Sequence, residues 1–246
     1  MIRIMKAEWY KLCRLKKTYF AFGFLLVLQL VAVWPILEMN RQFGAPKMSA
    51  FDFSASMLQG FSGVLIPVIM VITILELINT DLRDGTMRMT LIRPYTRSQV
   101  LLGKWLAAIT FLLTILLFLL LTSLMTGFIF FSLESTGVAF SELIGMYLAA
   151  ILPQAGLVSL MFLLAILINH GATTMGALFL FLIGSSIVDM LKPKIGQFLL
   201  PIYLDRLEPF SMESHDLLLW TSVSVGYLVL SLLLTDLIFR RKDLLQ

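Results

Sequence analysis

Residues 79–104, NTDLRDGTMRMTLIRPYTRSQVLLGK, form a charged interruption between two apolar runs, 61–78 and 105–131. Each run has the length that carries a helix across a hydrocarbon core about 30 Å thick. A hairpin between two such helices needs only a few residues, and this one has twenty-six. Five are basic: Arg83, Arg88, Arg93, Arg97 and Lys104 recur every four to seven positions. The segment reads as the place where the membrane part is handled from the cytoplasm.

The composition agrees with a bilayer setting. Of 246 residues 59% are hydrophobic and only 14% charged, and the mean hydropathy is +0.93. Too few polar side chains are present to cover a water-facing surface, and a lipid-facing one removes that need. The single cysteine, Cys13, excludes an internal disulfide and a cysteine-based metal cage. A formal charge of only +4 gives no reason to expect a nucleic-acid partner.

Taken in order, residues 1–17 carry six cations. On a helical wheel Ile2, Met5, Trp9, Leu12 and Cys13 share one arc, beside Arg3, Lys6, Arg14 and Lys17. Such a helix would lie in the interface with its cations toward anionic headgroups and Trp9 at the boundary. Its alternative is a basic flank that only sets orientation. The apolar stretch 19–36 lacks a small-residue cleavage site and is read as an uncleaved first span. Residues 37–60 read as a polar loop with Gly44 and Pro46 as breakers. Further spans are expected at 61–78, 105–131, 144–168, 173–189 and 217–239, with Pro67 inside the second, a kink at Pro153 in the fourth and a tight turn at 169–172. Residues 191–216 mix Pro193, Pro201 and Pro209 with apolar side chains. They form either short helices dipping into the outer leaflet or a loop packed on the spans. The expected fold is therefore all-α: six transmembrane helices in one domain, 1–246.

The cations check this topology. Fourteen of the nineteen Lys and Arg fall in the N-terminal segment, in 79–104 and at the C-terminus, and five on the other side. Both termini and the 79–104 segment are thus expected in the cytoplasm, in a multi-pass plasma-membrane protein.

No catalytic constellation emerges. His170 and His215 fall on opposite sides of the expected membrane. A phosphate-binding Walker loop needs Gly-x-x-x-x-Gly-Lys-Ser/Thr, and the nearest match, Gly103-Lys104, is followed by Trp105. Any ATP hydrolysis would come from a separate subunit. Among acids at span ends, Asp189 and Asp236 reach interfacial water, whereas Glu76 has arginines close by, Arg83 first, with which to pair. Gln29, Thr73, Thr110, Thr114 and Gln154 either line a translocation path or bond between helices. Within 79–104, Gly85 and Pro94 punctuate the segment. Leu82, Met87, Met89, Leu91 and Ile92 give its arginines apolar company, and Asp81 and Asp84 suit a helix N-terminus.

Glu76, Asp84-Gly85-Thr86, Leu91-Ile92-Arg93-Pro94, Thr96-Arg97 and Lys104 resemble the cytoplasmic pattern of ABC-2 type transporter permeases. The resemblance covers most of the chain: a basic elbow helix with Trp9, Lys11, Arg14 and Lys17, six spans, and a Pro-bearing segment before the last. It implies a permease subunit that pairs with a second protomer and docks on two ATPase subunits, which bind the ATP and Mg; no cofactor belongs to this chain. It further implies that 79–104 carries the coupling helix, with Glu76, Asp81, Arg83, Asp84, Gly85, Thr86, Arg93, Pro94, Arg97 and Lys104 as its ATPase-coupling residues. By the resemblance, members of this length often serve in export of, or immunity to, antimicrobial peptides and peptide antibiotics, and others move lipids, polysaccharides or ions; an amphiphile is the expected cargo. The alternative is a membrane-anchored assembly or sensing protein that recruits a cytoplasmic partner without translocation.

Overall fold

A computed structural model describes residues 2–43, 48–83, 96–131, 137–168, 170–205 and 214–241. Among these the chain is all-helical. In order the helices are α1 (Ile2–Arg14), α2 (Lys16–Phe43), α3 (Ala50–Gly63), α4 (Leu65–Arg83), α5 (Arg97–Phe130), α6 (Phe140–Leu167), α7 (Gly171–Leu191), α8 (Pro193–Gly196), α9 (Ile202–Asp205) and α10 (Ser214–Arg241). Five of them, α2, α5, α6, α7 and α10, are long and apolar enough to cross a membrane, and a sixth span exists if α3 and α4 count as one. This is the helix set of a multi-pass membrane protein.

The second span corrects the sequence reading. Residues 50–60, expected in a polar loop, are helical as part of α3, because Ser49 and Asp52 close a reciprocal N-terminal cap: Asp52 N–H donates to Ser49 Oγ at 3.1 Å and Ser49 N–H to Asp52 Oδ2 at 3.1 Å. The helix then bends by 50° into α4. Pro67 explains the position of the break. It offers no N–H to the carbonyl four residues back, Gly63, and its ring crowds that carbonyl. The break therefore falls just before the proline, at Val64, and the regular ladder resumes with Val68 N–H on Val64 O at 3.0 Å. Gln154 of α6 donates to Ser62 O at 3.0 Å and so occupies one of the carbonyls the broken helix frees.

Other boundaries move outward. The third span starts at Arg97, eight residues before the expected Trp105, since Thr96 and Gln99 cap it reciprocally. The expected turn at 169–172 is shorter, with Gly171 already inside α7. Asp81 lies in the last turn of α4, a helix C-terminus and not the N-terminus expected for it. In the 191–216 region two four-residue helices appear, and Leu200, Ile202, Tyr203 and Leu204 are buried against α3, α6 and α7.

α6 is the central helix, most of its length buried, and α10 lies along it. Gly156 permits that approach: a Cβ there would stand 3.0 Å from Ser224 O. Gly127 of α5 does the same against α3, where a Cβ would meet Ala50 O at 2.8 Å. Small residues at helix contacts are how helices close up in lipid, where no hydrophobic force acts between them. A buried hydroxyl cluster adds polar linkage among α3, α5 and α6: Ser54 and Ser123 are 2.6 Å apart, and Tyr147 Oη lies 3.3 Å from each.

Candidate functional site

The charged residues that the described structure brings together lie at one end of the bundle, where α1, the start of α2, the end of α4 and the start of α5 meet. α1 packs along α5 through Ile4 and Leu12, both buried, with Trp9 edge-on to Phe111 at 6.3 Å between ring centroids. The wheel placed Ile2 on that arc, but Ile2 is 66% exposed. The buried row is Ile4, Glu8 and Leu12, spaced four apart. A carboxylate on the buried face needs a partner, and Lys104 of α5 supplies it.

Lys104 is 1% exposed. Its Nζ donates to Glu8 Oε1 at 2.8 Å and to the main-chain carbonyl of Leu77 in α4 at 2.7 Å. One ammonium thus ties three elements, and both helices that flank residues 84–95 are held at it. A second ion pair joins Lys17, next to the α1–α2 corner, to Glu76 of α4. Lys17 is thus one partner of Glu76, while Arg83, the partner expected first, has its side chain outside the described set. The corner itself is fixed by Thr18, whose hydroxyl donates to Leu12 O at 2.7 Å. Arg14 lies over the Tyr10 ring, its guanidinium carbon 4.6 Å from the centroid.

Of the proposed coupling residues, Glu76 and Lys104 thus share this node. Arg97 opens α5, and Asp81 and Arg83 lie in the last turn of α4, their side chains outside the described set. Asp84, Gly85, Thr86, Arg93 and Pro94 lie outside the described residues, and so does the expected short coupling helix. Lys11 is half-buried on α1.

The proposed path residues have separate hydrogen-bond surroundings. Thr73, Thr110 and Thr114 donate to carbonyls of their own helices, Ile69 at 2.9 Å, Leu106 at 2.7 Å and Thr110 at 3.0 Å. Each hydroxyl thus bonds four residues back in its own helix, and Thr110 Oγ1 also lies 3.9 Å from Met5 Sδ of α1. Gln154 serves the α3–α4 break. Gln29 stands apart: it is fully buried on α2, and neither its amide oxygen nor its nitrogen has a hydrogen-bond partner among the described residues. No three His, Cys, Asp or Glu side chains converge among the described residues.

Glu8 is the residue that the sequence reading passed over. Its signal was present: it is the only acid in the first 37 residues, and it sits between Ile4 and Leu12 on one helical row. The wheel that grouped Ile2, Met5, Trp9, Leu12 and Cys13 left both Ile4 and Glu8 out of the apolar arc.

Residues 20–245 match the family model described as Protein of unknown function (DUF2705), so α1 precedes the matched stretch. No curated protein matches the chain.

Proposed function

The chain belongs to that DUF2705 family, and from this premise we propose that it is the membrane-spanning subunit of an ATP-driven exporter of ABC-2 type. In this reading a separate ATPase pair docks on the segment between α4 and α5, and a second permease protomer completes the path. The cargo is an amphiphile, an antimicrobial peptide or peptide antibiotic being the class the resemblance favours. Both termini face the cytoplasm of the producing or resisting cell.

The observation that supports the reading is the node at Lys104. A connector moves helices only if its ends are held stiffly, since a loose loop would absorb the stroke. Both ends of residues 84–95 lead directly into helices joined to each other by the Lys104–Leu77 contact, and to α1 by Glu8. Force applied to the connector would therefore reach α1, α4 and α5 together.

The test is affinity purification of the detergent-solubilised protein, followed by an ATPase assay and peptide-transport measurements in proteoliposomes. Co-purification of a nucleotide-binding subunit whose hydrolysis rises with substrate, and falls with Arg97→Glu or Gly85→Pro, supports the proposal. A co-purifying partner without ATPase activity, or with no transport, would instead support the assembly or sensing role.

A further inference from the structure

We propose that a groove between α2 and α4 binds one anionic phospholipid from the leaflet on the side of α1. The groove has a volume of about 620 Å³, within the usual range of ligand sites, roughly 300–1,000 Å³. Its walls are Phe20 and Phe24 of α2 and Leu65, Val68, Ile69 and Ile72 of α4, with Phe111 of α5 among its other lining residues. Phe20 and Phe24 stack on each other and are 75% and 44% exposed, so that wall faces what surrounds the protein. α2 packs mainly on α5, which leaves the space beside α4 open.

Length and charge select the occupant. From Leu65 to Glu76 the α4 wall is eleven residues, about 16 Å at the helical rise, roughly half of a 30 Å hydrocarbon core and so one leaflet deep. Its inner end is the apolar α3–α4 break and its outer end is charged. Lys16 and Lys17 line that outer end against the single acid Glu76, leaving one net positive charge where a headgroup phosphate would sit. An acyl chain meets mostly apolar side chains along the wall, where the Thr73 hydroxyl is already spent on Ile69 O, and Lys16, an exposed residue, meets the phosphate. A zwitterionic lipid offers that net cation no net charge in return, whereas an anionic headgroup does. A lipid wedged there would bridge the first span to the α4 end of the charged node, whatever the chain transports.

The test is native mass spectrometry of the purified full chain, exchanged from detergent into mixed micelles with either phosphatidylglycerol or phosphatidylcholine. One phosphatidylglycerol should be retained at about fivefold higher occupancy, the factor expected of one net cation beside a headgroup. The Lys16→Gln/Lys17→Gln variant should lose that preference while keeping weak binding of both lipids. Val68→Trp, which fills the groove, should lose both. Equal retention of the two lipids by the unmodified protein, or undiminished retention after Val68→Trp, would overturn the proposal. If the variants fail to fold, tryptophan quenching of the unmodified protein by chain-brominated lipids decides. Phosphatidylglycerol must quench at lower mole fraction than phosphatidylcholine, and superimposable curves overturn the site.

Discussion

Lys104→Met is the substitution that most sharply tests the charged node. It keeps the length and apolar stem of the side chain and deletes the ammonium. Two hydrogen bonds to a charged donor are lost, to Glu8 Oε1 and Leu77 O, each worth about 1.5–3 kcal/mol. Glu8 is left with a carboxylate whose other oxygen is already buried without a hydrogen bond among the described residues. Breaking a buried pair by removing one partner costs about 3–5 kcal/mol. Because the Glu8 side chain retains 13% exposure, the expected loss is at the lower end, about 3 kcal/mol. The decisive experiment adds Glu8→Gln. In the native protein it weakens the pair and should destabilise by about 1–2 kcal/mol; with Met at 104 it removes an uncompensated charge and should stabilise by about 1 kcal/mol. The assay is equilibrium unfolding in mixed micelles titrated with sodium dodecyl sulfate, followed by circular dichroism and tryptophan fluorescence. Finding that Glu8→Gln destabilises equally in both backgrounds would show that Lys104 does not hold Glu8, and would remove the argument that α1 is tied to the connector.

Gln29→Leu should raise stability by about 1 kcal/mol, because it replaces a fully buried amide lacking partners among the described residues with an apolar group of similar size. The same titration checks it, and a loss of stability would mean that a partner chain satisfies the amide. Gly127→Val would place a Cβ 2.8 Å from Ala50 O and 3.0 Å from Ala50 Cα. Backbone on backbone cannot yield as a flexible side chain does, so α3 and α5 must separate at an expected cost of about 1–3 kcal/mol; an unchanged detergent melting temperature would refute the close approach.

Much of the architecture could be read from composition and spacing, because a bilayer imposes a coarse rule: a long apolar run must become a helix to satisfy its own backbone. That rule gave α2, α5, α6, α7 and α10 to within a few residues at most ends. It failed at residues 50–60, where Ser, Asp and Gly made a helix look like a loop. Local composition there is overridden by the Ser49–Asp52 cap and by Phe53 and Leu58, which bury fully. The proline in the second span was noticed, but which carbonyl it would deprive, and who would take up the freed groups, needed α6 beside it.

The candidate site divides in the same way. The sequence by itself determined that this is an all-helical chain with enough apolar runs for five or six spans, and that its cations gather in a few segments, since hydropathy and charge are properties of consecutive residues. Only the tertiary structure decided which charges meet. Glu8 and Lys104 are 96 residues apart and Lys17 and Glu76 are 59 apart; their pairing depends on α1 folding back along α5 and on the α2 corner approaching α4. An ion pair in a poorly hydrated interior is set by proximity in space, where a lone charge is costly, and proximity across such separations is not written in any local stretch of the chain.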